Sequence, residues 1–185
     1  MGWMNWKLWK HMGCLWGLVV ITGCGKVPET TSATPDKEDS SDNTEQVLHL
    51  DHAQPKLRTT KLYMADKTVV AEIAQSITQI ATGMMFRESM GENEGMLFVF
   101  SYPHQTSFYM KNTKVPLSCA YIDRDGKILE IYDMEPLNLD PIPSESDQIQ
   151  FVLEMNQGWF EKNGIKVGTR IVSERGTLLQ HFLSR

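Results

Sequence analysis

Short apolar runs recur from Lys61 to Val172, broken by polar or Gly- and Pro-bearing turns, and their periodicity predicts mostly strands. Lys61 to Met64 and Thr68 to Ile73 are β-prone and separated by Ala65-Asp66-Lys67, which predicts a hairpin. Ser76-Ile77-Thr78-Gln79 has the form of a capping box. Ile77, Ile80, Ala81 and Met84 follow at helical spacing, with Gly83 placed to end the helix. Arg87 to Gly95 is polar and reads as loop. Met96 to Phe100 is a continuous apolar run, as in a strand buried on both faces. Thr106 to Met110 is β-prone, and Lys111 to Pro116 turns the chain. Leu117 to Ile122 and Lys127 to Tyr132 flank Asp123-Arg124-Asp125-Gly126, a hairpin signal. Leu137 to Asp147, with Pro141 and Pro143, predicts an exposed loop, and Ile149 to Met155 another strand. Asn156 is positioned to cap a short helix holding Trp159 and Phe160, stopped by Asn163-Gly164, before a closing strand over Val167 to Val172. The expected fold is α+β: a mostly antiparallel, β-rich, compact barrel-like domain with two short helices.

The N-terminal pattern is different. Lys7 and Lys10 precede a charge-free apolar run from Met12 to Ile21, closed by Ile21-Thr22-Gly23-Cys24. A basic start, a short apolar core and small residues before a cut describe a secretory signal. The uncharged stretch from Met12 to Gly25 is 14 residues, short of the roughly 17–25 that a spanning helix needs. Ile-Thr-Gly-Cys resembles the lipobox of bacterial lipoproteins. That resemblance implies cleavage after residue 23 and lipidation of Cys24, including palmitate, as a membrane anchor. Cys14 is the weaker candidate because His11 stands where an aliphatic residue is wanted. Gly25 carries no retention acid and tilts the expectation towards an outer membrane, with inner against outer left open.

Residues 25 to 46 contain Val27 as their one large aliphatic residue and no aromatic, with six acids against Lys26 and Lys37. Such a segment buries too little apolar surface to offset its ordering entropy, so 24–55 is expected to be the lipidated cysteine plus a disordered acidic tether. Residues 56–185 then form a single globular domain, long enough for a core without staples. From residue 59 onward 12 basic and 16 acidic residues are interspersed. No basic cluster appears, which argues against nucleic acid as a partner. With Cys14 removed and Cys24 lipidated, Cys119 is a lone thiol within strand-like flanks, expected to be buried and inert.

Five stretches stand in order: G-M-M-F-R-E-S-M (83–90), G-M-L-F-V-F (95–100), S-F-Y-M-K-N-T-K-V-P-L (107–117), A-Y-I-D-R-D-G-K-I (120–128) and V-L-E-M-N-Q-G-W-F-E-K-N-G-I-K-V-G (152–168). Together they resemble the bacterial and archaeal family of domain of unknown function 192. The resemblance implies a compact barrel-like β domain, often secreted or periplasmic, and brings no established reaction. Tyr109 stands where a Trp is usual, Ser118 where an Asp is common, and Leu137-Asn138 where a Cys-Thr pair is frequent. Any chemistry resting on that Asp or Cys is closed to this chain.

No nucleophile elbow, zinc-binding helix, Cys-x-x-Cys pair or phosphate-cradling loop is present. The five histidines are scattered, His49 and His52 at the end of the tether. Neither a metal, a cofactor nor a catalytic residue is assigned. The methionines, which could hold Cu(I), sit at core spacing and read as packing. Arg87 and Glu88 follow the first helix, while Lys111, Asn112 and Thr113 follow a strand. These five are the candidate ligand-binding residues, because a guanidinium, an ammonium and a carboxamide can hold an anion. Set against this, Arg87 and Lys111 could pair with Glu88, Glu94 or Glu154, and Asn112-Thr113 could satisfy turn backbone. The leading expectation is a lipid-anchored protein of the cell envelope, facing the periplasm or exterior, whose domain binds a small ligand or an envelope protein without catalysis. Two alternatives are an envelope hydrolase using Glu88, Glu94 or Glu154 as acid/base, and a purely structural scaffold.

Overall fold

A computed structural model describes residues 48–184. The signal segment 1–23, Cys24 and the tether as far as residue 47 lie outside the described residues. The domain runs β1 (Thr59–Met64), β2 (Lys67–Ala74), α1 (Ile77–Thr82), β3 (Glu94–His104), β4 (Ser107–Phe108), β5 (Leu117–Ile122), β6 (Ile128–Met134), β7 (Ile142–Pro143), β8 (Ile149–Asn156), α2 (Trp159–Lys162), β9 (Ile171–Ser173), β10 (Gly176–Thr177) and α3 (Leu178–Phe182). Eight strands form one sheet in the order β10-β9-β1-β2-β3-β8-β5-β6, and β4 pairs with β7 separately. Every pairing is antiparallel except β2 with β3, which α1 joins as a crossover. The capping box is formed as expected, Ser76 Oγ accepting from Gln79 N–H and the Gln79 side chain accepting from Ser76 N–H. Gly83 ends α1 at φ 47°.

Two expectations are corrected. The sheet is not closed into a barrel: β6 and β10 end the strand order, and a lone bridge from Lys127 to Arg170 is what links the start of β6 to the approach to β9. The chain entering β9 turns at Gly164 and Gly168, both at positive φ, so it offers β6 no continuous strand to pair with. The domain also has three short helices rather than two. The third, α3, starts from a second capping box, Thr177 with Gln180.

The central strands β3, β5 and β8 are buried on both faces, while β1 exposes one, and alternation largely sorts the residues between two core clusters. On one face Leu97, Val99, Ala120, Phe151 and Leu153 pack with Trp159 and Phe160 of α2 and Leu178 of α3. On the other, Met96, Phe98, Cys119, Tyr121, Val152 and Met134 at the end of β6 pack with Met84, Met110 and Val115 from the connecting segments. Among the described residues seven methionines (Met64, Met84, Met85, Met96, Met110, Met134 and Met155) and the Trp159-Phe160 pair are buried core groups, Met90 is half-buried, and Cys119 is buried.

The chain is already anchored before residue 56. Gln54 is buried, and its amide nitrogen donates to the carbonyls of Gln79 (3.2 Å) and Gly83 (2.8 Å), while Leu50 N–H donates to Thr82 Oγ1. The polar composition of 48–55 hides this, because the docking is carried by polar bonds: the Gln54 carboxamide donates to the Gly83 carbonyl and, alongside Gly83 N–H, to that of Gln79.

Candidate functional site

The second face of the sheet carries one cross-strand row of mixed character. Glu72 of β2 stands opposite Met96 of β3, Met96 opposite Glu154 of β8, Glu154 opposite Cys119 of β5, and Cys119 opposite Tyr132 of β6. Two buried carboxylates therefore share a row, two strands and so about 10 Å apart. Their partners differ completely. Glu72 receives both prongs of the Arg87 guanidinium, Nη1 at 3.0 Å and Nη2 at 2.9 Å, and its Oε2 also accepts from Leu57 N–H at 2.6 Å. Glu154 is 4% exposed, and among the described residues its Oε2 has no hydrogen-bond partner. Burial pushes its carboxyl from the ordinary 4.5 up to about 8. Beside it the Cys119 thiol is pushed up to about 12, by burial first and the Glu154 charge second, which makes it unreactive.

Glu154 lines a cavity of about 430 Å³. One wall is the end of α1 and the turn after it, from Ile80 to Met85. Phe98 and Phe100 of β3, Thr106 to Tyr109, Leu48-His49, Lys111 and Thr113 supply the rest of the lining. Phe98 and Phe108 brace each other edge to face at 4.8 Å. The volume falls in the range of small-molecule sites, and the lining mixes apolar residues with eight polar or titratable ones, Glu154 and Lys111 among them.

The five residues singled out from sequence separate. The backbone joins their two loops, since Phe86 N–H donates to Asn112 C=O at 2.8 Å, with both residues at positive φ (63° and 55°). The side chains then diverge. Lys111 and Thr113 line the large cavity, with Thr113 Oγ1 donating to Lys111 C=O at 3.1 Å. Arg87 turns to Glu72 and borders a separate hollow of about 30 Å³. Glu88 pairs with Lys114 at 2.8 Å in solvent. Glu154 was weighed in the sequence as an acid/base or a salt-bridge partner, but not as a ligand contact. Its signal was present nonetheless: it is the one acid in the strand run Ile149 to Met155.

Fold and cavity together define a small, open β-sheet domain with a ligand-sized pocket on one buried face. The chain belongs to the DUF192 family, described as uncharacterised ACR, whose model matches residues 59–173. It is similar to a protein of Sinorhizobium meliloti 1021 that carries the provisional name of transcription regulator. The two are 27% identical, with a TM-score of 0.62 over 65% of this chain and 98% of that one. It is also similar to a protein of unknown function from Novosphingobium aromaticivorans DSM 12444, 29% identical, with a TM-score of 0.59 over 63% of this chain and 86% of that one. No curated protein matches.

Proposed function

We propose that this domain is the ligand-binding module of a lipid-anchored cell-envelope protein, and that the 430 Å³ cavity is its binding site. The observation that carries the reading is the unpartnered Glu154 carboxyl in that cavity. Buried polar groups are almost always satisfied, and an unsatisfied one costs about 1–3 kcal/mol. A carboxyl left open towards a cavity is thus a cost that a bound molecule removes. Binding is favoured over catalysis because Glu154 is the one carboxylate lining the cavity. Of the three acids weighed as acid/base, Glu88 and Glu94 lie outside the cavity, so no carboxylate pair lines it; the other titratable groups on the lining are His49, Tyr109 and Lys111. The scaffold reading accounts for the Arg87 fork, whose two Nη groups bind Glu72 while its Nε stays unpartnered, and leaves Glu154 without any partner among the described residues.

Native mass spectrometry of the purified full-length chain tests the binding reading. A small-molecule adduct that is lost in Glu154→Leu supports it. No adduct, together with no ligand that shifts the Met84 and Met85 methyl resonances, contradicts it. The anchor rests on the lipobox-like Ile21-Thr22-Gly23-Cys24. Cys24→Ser is expected to move the protein out of the membrane fraction and to abolish palmitate labelling; continued labelling refutes the assignment.

A further inference from the structure

We infer that the cavity takes an organic ammonium, its charged head on the Glu154 carboxylate and its apolar body against the rings of Phe98, Phe100 and Phe108. This rests on the binding reading above and names its ligand class. The row on the sheet supplies the comparison. Glu72 and Glu154 are buried on the same face with Met96 between them, and the fold provides Glu72 with a cation of its own, the Arg87 fork. For Glu154 it provides none. A buried carboxylate is paired or it takes up a proton. The cavity is the open route by which a cation can reach it.

The class of cation follows from the lining. A metal ion such as Ca²⁺ wants six or more oxygen ligands, whereas no cluster of three metal-ligating side chains occurs among the described residues. An ammonium needs one carboxylate and gains from aromatic faces through cation–π attraction. Phe98, Phe100 and Phe108 line the same cavity, and Phe98 packs edge to face with Phe108 at 4.8 Å. Lys111 is exposed at the edge of the cavity and carries the opposite preference. The charge order therefore favours a molecule that enters ammonium first and leaves any anionic group near Lys111. A partly apolar body is required, because Ile80, Ala81 and Met84 also line the cavity.

The test uses the full-length chain in nanodiscs of zwitterionic lipid, with three probes of similar shape: 2-phenylethylammonium, 2-phenylethanol and 3-phenylpropanoate. Methionine-methyl NMR reports binding, Met84 and Met85 lining the cavity and Met64 and Met155 on the other face serving as controls. The ammonium is expected to shift the two cavity methyls and to bind about tenfold or more tighter than the alcohol, with that margin lost in Glu154→Gln. If the alcohol or the carboxylate binds as well as the ammonium, the ligand class is wrong while the binding site stands. If no probe shifts Met84 or Met85, the ligand class and the binding site both fall. Should Glu154→Gln not fold, the Glu154 ¹³Cδ resonance of the unaltered chain decides. The ammonium must move it, and an unmoved resonance overturns the proposal.

Discussion

The unpaired carboxyl on β8 gives the domain a stability profile with a definite sign. In the unfolded chain Glu154 ionises near 4.5, and in the fold near 8. The folded state therefore holds a proton that the unfolded state has released across this window, and stability falls as pH rises through it. Below about 4.5 the group contributes no penalty. Above about 8 the penalty levels off at roughly 5 kcal/mol, the gap between the two values at about 1.36 kcal/mol per pH unit. At pH 7, where most of the gap has been traversed, it is roughly 3 kcal/mol. Glu154→Gln keeps the shape and removes the titration, so any constant cost of a buried amide cancels when the two pH profiles are compared. Urea unfolding of ligand-free parent and variant at pH 5, 7 and 8.5 is the assay. The variant is expected to gain on the parent by roughly 2–3 kcal/mol between pH 5 and 7, and by more at pH 8.5. The other titratable groups around the cavity, His49, Tyr109 and Lys111 on its lining, are present in both chains, as is the Glu72–Arg87 pair one strand beyond Met96, and the Cys119 thiol that the Glu154 charge helps to raise ionises well above this window. Parallel profiles would refute the reasoning, since they would mean that Glu154 is ionised or solvated in the fold.

Two further outcomes follow from named contacts. Arg87→Ala leaves the Glu72 carboxylate buried without its guanidinium and is expected to cost roughly 3–5 kcal/mol in urea unfolding. Adding Glu72→Gln should recover part of that loss, because the amide is neutral and still accepts from Leu57 N–H. Gln54→Ala removes two donors from the end of α1 and is expected to lower stability by about 1–3 kcal/mol. A chain shortened to begin at residue 56 should then lose at least as much, and equal midpoints for long and short chains would refute the docking of residues 48–55.

Local signals in the sequence were readable where their causes are local. The Ser76–Gln79 capping box and the Asp123–Gly126 hairpin turn rest on contacts within four residues, and both are formed. The Thr177–Gln180 box was equally local and has the same form, yet α3 escaped notice because only five residues follow before the helix ends. The pairing of β4 with β7 was out of reach, since Ile142-Pro143 lies in a Pro-bearing stretch that reads as loop. Closure of the sheet was also beyond periodicity, which fixes the faces of each strand but not whether the end strands meet. The candidate site divided on the same principle. That Arg87 and Lys111 follow elements whose ends adjoin was legible, but the Glu72 that captures Arg87 sits 15 residues upstream on another strand. Glu154 was visible as a single acid in an apolar strand, a local/global conflict of the kind that marks functional positions.

Whether Glu154 is a carboxyl held ready for a ligand's charge is decided by its ¹³Cδ shift, titrated with and without 2-phenylethylammonium. Without the probe the resonance should titrate near 8, and with saturating probe its midpoint should fall by two pH units or more, on the order of the hundredfold coupling expected for a buried ion pair. A midpoint near 4.5 without probe, or one near 8 that the ammonium leaves in place, would contradict the account.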